Sequence, residues 1–234
     1  MRRKRKSPFL KRRAVVAFIV AILLGLNFLI SEFSDKPIIS FEDIPEYSGE
    51  LYIEINGGVP YFENESTDTE YEIYYELDNY GRASGALACL GRSTMPKDDE
   101  KRGSISGITP SGWHTAKYDN VSGGYLYNRS HLIGWQLSAE NANEKNLITG
   151  TRYFNATGML EFENMVADYI EETGLSVLYR VTPVYQGEEL VARGVLIEAQ
   201  SAADGGEDLQ FCVFVYNVQP GIVIDYLTGD SHLE

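Results

Sequence analysis

One of the three histidines in this 234-residue chain stands among residues that could do chemistry with it. His131 closes the run Asn128-Arg129-Ser130-His131, and two asparagines nine residues apart, Asn146 and Asn155, follow it. Glu163 comes eight residues after the second. An imidazole by itself is more often structural than catalytic. Beside a guanidinium, two carboxamides and a carboxylate it belongs to a set that suits phosphodiester hydrolysis: a base to take a proton from water, a cation to hold phosphate, and oxygen ligands for a hard metal ion. His114 and His232 have no such neighbours and read as surface or loop residues.

As a set, these residues resemble the DNA/RNA non-specific endonuclease family, whose active site is a ββα-metal unit, and within it the membrane-anchored nucleases of DNA uptake. The resemblance runs from about Leu51 through Val218-Gln-Pro-Gly-Ile-Val-Ile-Asp225-Tyr. It matches Asn128-Arg129-Ser130-His131 to the family's Asp-Arg-Gly-His and implies His131 as general base. It matches Asn146 and Asn155 to the paired asparagines, the second as metal ligand on the helix of the unit. Glu163 would hold a metal-bound water, and Arg129 or Arg152 would hold phosphate or stabilise the site. Arg82, in Asp78-Asn-Tyr-Gly-Arg82, is a further phosphate candidate. The implied cofactor is Mg²⁺, with Mn²⁺ as the alternative, and the implied substrate is single- or double-stranded DNA, with RNA also admitted. The chain departs from the family pattern twice. Asn128 lacks the charge of the usual Asp, and Ser130 adds a Cβ where Gly is usual; both predict an altered rate rather than lost function.

The elements that must position these groups follow from hydrophobic periodicity. Alternating segments at 51–56 and 71–77, and β-rich stretches at 176–185, 190–199 and 209–217, predict strands. Residues 103–124, rich in Gly, Ser and Thr, read as loop. Phe162, Met165, Val166, Tyr169 and Ile170 share one face of a helix that Gly174 ends. Strands on both sides of a central loop-and-helix unit predict an α+β domain with a largely antiparallel sheet. Cys89 and Cys212 lie in apolar settings and read as two buried thiols rather than a disulfide.

Charge divides the chain. Eight of the 20 basic residues lie within residues 1–13, ahead of an uncharged apolar run at 14–30. That run is long enough, at roughly 25 Å as a helix, to serve as a transmembrane anchor. The positive-inside rule then keeps 1–13 cytoplasmic, and an acidic stalk at 31–49 leads to an extracytoplasmic domain at 50–234. Cleavage of the segment as a signal peptide would release the same domain outside the cell. Residues 82–152 carry nine basic against six acidic side chains, while the rest of the outer domain is strongly acidic, so a polyanion could approach productively only at this segment. Two other readings share these features: a surface module that binds nucleic acid without cutting it, and an inactive relative of the family. Hydrolysis with and without EDTA separates the binding module from a nuclease.

Overall fold

The computed structural model describes residues 39–234; the basic block, the apolar run at 14–30 and the first part of the expected stalk lie outside them. Among the described residues no helix is long and apolar enough to cross a membrane. In chain order the elements are β1 (Tyr52–Glu54), β2 (Tyr71–Tyr74), β3 (Ala86–Leu90), β4 (Tyr127–His131), the short α1 (Trp135–Ser138), β5 (Leu147–Thr151) and α2 (Leu160–Thr173). The chain continues through β6 (Val177–Val184), β7 (Gly194–Ser201), β8 (Gln210–Tyr216), β9 (Ile222–Ile224) and β10 (Ser231–Leu233).

Six strands form one sheet in the order β1-β8-β7-β6-β3-β2, and every pairing in it is antiparallel. The fold is α+β, with this sheet at its centre. Its inner strands are apolar on both faces because both faces are covered. In β8, Phe211, Val213 and Val215 join the cluster that also holds Phe162, Val166 and Ile170 of α2. Cys212, Phe214 and Tyr216 alternate to the opposite face, where Ile39 and Ile44 cover them. Each such side chain contributes roughly 1.5–3 kcal/mol when fully buried, so α2 is held chiefly by this face. Gly174 ends the helix at φ 69°, its N–H donating to the Ile170 carbonyl.

Several boundaries differ from the periodicity reading for visible reasons. Met165 is 42% exposed, because the buried stripe runs through Phe162, Val166, Ala167 and Ile170. The strand expected at 190–199 starts only at Gly194, since Leu190 and Val191 donate their N–H groups to the Tyr226 carbonyl instead. β3, β4, β5 and the C-terminal hairpin β9–β10 lie outside the strands that the periodicity predicts. Cys89 and Cys212 are free and buried. Two strands separate β3 from β8, roughly 14 Å at ordinary strand spacing, well beyond disulfide reach.

Candidate active site

β4 and β5 form a separate antiparallel pair, with His131 opposite Leu147 and Asn128 opposite Gly150. The connection between them is folded back by Asn146. Its side-chain oxygen accepts the Ile133 N–H at 2.9 Å, and its amide donates to the Ile133 carbonyl at 3.0 Å, with the residue fully buried. At the end of β5 the Thr151 hydroxyl accepts the Phe154 N–H at 3.0 Å and so caps the following helix. Buried Asn217 grips the same point, accepting the Thr151 N–H and donating to the Thr149 and Ala192 carbonyls. The helix opens with a π-helical stretch, Phe154–Met159, which leads into α2. Phe154 is buried in the core, while Asn155 beside it reaches the surface groove. Local π geometry of this kind is frequent at functional sites. The result is a β-β-α unit that turns residues from all three elements into one cleft.

That cleft, about 760 Å³, is lined by His131, Asn128, Arg102, Arg152, Asn155 and Glu163, with Trp113, Tyr125 and Trp135 on its walls. The His131 Nε2 lies 2.9 Å from the Asn141 carbonyl oxygen, and Nδ1 lies 3.2 Å from the Arg102 guanidinium. A carbonyl only accepts, so Nε2 carries the proton and Nδ1 presents its lone pair to the Arg102 N–H. Burial lowers the His131 pKa, the Asn141 hydrogen bond opposes that shift, and Arg102 adds to it. Glu163 is pushed up to about 7 by burial, with Arg102 pulling the other way. Gly134 leaves room for the Glu163 carboxylate in this position: a Cβ there would lie 2.6 Å from Glu163 Oε2, and the carboxylate would have to shift. Among the cleft-lining residues, Asn128 Nδ2 is buried with no protein partner among the described residues. An unpaired buried amide at a cleft wall is a place where solvent or ligand completes the hydrogen bonding.

A model of the DNA/RNA non-specific endonuclease family matches residues 63–203. The chain belongs to this family. A deoxyribonuclease of Streptococcus dysgalactiae subsp. equisimilis is 36% identical over 110 residues, 45% of this chain and 32% of that protein, so the match spans about a third of that curated relative. Among solved structures, NucA from Streptococcus agalactiae with magnesium ion bound is 27% identical with a TM-score of 0.69, covering 77% of this chain and 87% of that one. The Sda1 nuclease with bound zinc ion is 30% identical with a TM-score of 0.60, covering 70% and 82%.

Within this endonuclease fold the expected site residues divide. His131, Asn128, Arg152, Asn155 and Glu163 meet at the cleft. Asn146 does not join them as a ligand, because both ends of its carboxamide are committed to Ile133. Arg129 lies at the rim, but its guanidinium donates to the Ile108 and Ser106 carbonyls and stacks 4.1 Å over Trp113, so it pins the long loop instead of waiting for phosphate. Arg82 is engaged away from the cleft by Asp78, the Gly187 and Glu189 carbonyls, and the Tyr80 and Tyr185 rings. His114 is exposed, with Nε2 3.0 Å from the Thr228 carbonyl, and His232 is exposed in β10. Ser130 sits in regular β4, and its space comes from Gly150, where a Cβ would collide with the Ser130 hydroxyl and lie 2.7 Å from Phe154. Arg102 is the functional residue that the sequence reading missed as a site group. It ends the charged run Lys97-Asp-Asp-Glu-Lys-Arg102, just ahead of the glycine- and serine-rich loop at 103–124, and only its charge was available as a signal.

Among the described residues no three His, Cys, Asp or Glu side chains gather as a metal cage. The oxygen donors that share the cleft, Asn155 and Glu163, suit a hard ion that keeps most of its water.

Proposed function

We propose that this protein is a sugar-non-specific endonuclease that hydrolyses DNA, and RNA as well, with His131 as general base and one Mg²⁺ ion, held on the outer face of a cell membrane by residues 14–30. The observation that carries the catalytic part is the orientation of His131: Nε2 is tied to the Asn141 carbonyl, and Nδ1 faces Arg102 at the cleft. The lowered pKa keeps the ring neutral at physiological pH, which a base requires.

Arg102 donates to Nδ1 in the substrate-free chain, and an arriving phosphate offers that guanidinium a stronger, charged partner. As Arg102 and exposed Arg152 take the phosphate oxygens, Nδ1 becomes available to a water molecule placed for in-line attack. His131 then accepts the water proton, and the Asn141 carbonyl stabilises the imidazolium that forms. Asn155 would hold the divalent ion and Glu163 one of its waters, with Mn²⁺ able to replace Mg²⁺; when bound, the ion supplies positive charge to a phosphate oxygen and to the leaving oxygen. The magnesium in NucA supports Mg²⁺, as do the carboxamide and carboxylate oxygens of Asn155 and Glu163 in the cleft. Asn128 carries no charge but keeps an amide at the cleft wall, where it can bond phosphate or water. No element of the cleft reads base edges through a groove-filling helix, so cutting without strong sequence preference follows.

The test is digestion of supercoiled plasmid by the detergent-solubilised full chain with Mg²⁺, with EDTA, and with zinc in place of magnesium. Nicking that needs Mg²⁺ and stops with EDTA is expected; metal-independent cutting or none would sink the reading. Anchoring predicts that the chain stays with membranes through an alkaline carbonate wash and that protease added to intact cells removes the nuclease domain.

A further inference from the structure

The chain approaching β4 is folded into a tight turn over residues 116–126. Leu126 N–H donates to the Ala116 carbonyl at 3.0 Å, Tyr118 N–H donates to the Gly124 carbonyl at 3.1 Å, and Lys117 faces Tyr125 in an antiparallel bridge. Val121 and Leu126 bury their side chains against Tyr127 and Ile222, which fixes the turn to the rest of the domain. This rigid turn presents Tyr125 on the cleft wall, 49% exposed, with the Lys117 ammonium 4.6 Å from the ring centroid. Neither side chain has a hydrogen-bond or ion-pair partner among the described residues, and neither belongs to a core cluster. The same wall carries Trp113 with the Arg129 guanidinium over it, so rings and cations alternate along it.

A rigid, exposed ring with an ammonium over one face, held by no carboxylate or hydrogen bond, matches two features of an unpaired nucleotide: a flat base that can stack on the other face, and a phosphate. A base within a duplex has its faces covered by its neighbours and cannot use the ring. We infer that Tyr125 and Lys117 form a subsite for an unpaired nucleotide flanking the scissile phosphate, the base stacking on Tyr125 and its phosphate pairing with Lys117. The inference rests on the nuclease reading of the cleft and adds to it a preference for single-stranded substrate. Tyr125 precedes His131 by six residues, at most roughly 20 Å of extended chain, so the stacked base lies within a few nucleotides of the bond cut.

The test is anisotropy of a labelled oligothymidine and of an abasic strand of the same length, measured in EDTA with the full chain and with Tyr125→Ala, Tyr125→Phe and Lys117→Ala. Tyr125→Ala should weaken the thymidine strand about tenfold and leave the abasic strand unchanged, while Tyr125→Phe, which keeps the ring, binds like the unaltered chain. Lys117→Ala should weaken both strands and lower the salt slope by about one. Equal loss on both strands in Tyr125→Ala, or no loss, overturns the subsite. In cleavage with Mg²⁺ the ratio of single- to double-stranded rates should fall about tenfold in Tyr125→Ala. If the unaltered chain cuts nothing but the binding differences hold, the nuclease reading fails and the subsite stands. If it cuts and Tyr125→Ala leaves that ratio unchanged, the subsite fails and the nuclease reading stands.

Discussion

At the scale of single residues, two titratable groups with opposite shifts share one cleft. Removing the ring in His131→Ala should lower plasmid cleavage at least about 10²-fold, the usual contribution of a positioned base, with oligonucleotide binding nearly unchanged. A normal rate in that variant would move the base elsewhere. Glu163 makes a pH prediction whose sign can be worked out. Its folded-state pKa of about 7 lies above its ordinary 4.5, so across that window the folded chain holds a proton that the unfolded chain releases. Stability of the metal-free protein therefore loses this contribution as pH rises from about 4.5 to 7 and is flat in this respect above it. Glu163→Gln cannot ionise, so it should be close to neutral in stability near pH 4.5 and stabilising by about 3 kcal/mol at pH 8, while activity falls. Urea unfolding of both chains at the two pH values, with EDTA present, checks this; a difference that does not grow with pH would mean that the carboxyl is not shifted.

At the scale of elements, the site depends on how the β4–β5 connection and the helix start are held. Asn146 satisfies the N–H and the carbonyl of Ile133 from a fully buried position, so Asn146→Ala leaves both without their partner. A loss of about 3 kcal/mol is expected from two orphaned backbone groups, with the Mg²⁺ concentration for half-maximal activity unchanged. Asn155→Ala should behave in the opposite way, with near-normal stability and activity restored in part by raised Mg²⁺. Thermal melts and metal titrations of the two variants separate a positioning asparagine from a ligating one. Should Asn146→Ala instead shift the metal requirement, its role would be ligation after all.

At the scale of the whole molecule, the basic segment is less available than its count suggests. Of the nine basic residues in 82–152, Arg82 is engaged by Asp78, Arg92 by the Glu171 carbonyl and Lys145 by Glu76. Arg102, Arg152 and Lys117 remain at or beside the cleft, within an otherwise strongly acidic domain. Few phosphate contacts release few counterions, so affinity should fall with salt at a log–log slope on the order of −2 to −4. Repulsion from the acidic surround acts at longer range and is screened first, which gives a shallow optimum of activity at intermediate salt. Cleavage of one linear duplex across a NaCl series at fixed Mg²⁺ tests this, and a steep loss from the lowest salt upward would require a wider basic surface.

What the sequence by itself determined was local. The unbroken apolar run in 209–217, mostly β-branched and aromatic, and the 3.6-residue spacing of Phe162, Val166 and Ile170 specify a strand buried on both faces and a helix buried on one. The grouping of His131, Asn155 and Glu163 was legible too, since all three lie within one short β-β-α stretch where spacing along the chain nearly dictates proximity. Only the tertiary structure decided which polar groups remain available. Arg82, Arg129 and Asn146 look like ligands for phosphate or metal until the carbonyls of Glu189, Ile108 and Ile133 are brought to them. Arg102, distant in sequence and set in a loop without period, reaches His131 only because that loop closes over β4. A side chain's type gives its hydrogen-bonding capacity, but whether that capacity is already used depends on backbone groups brought there by the fold.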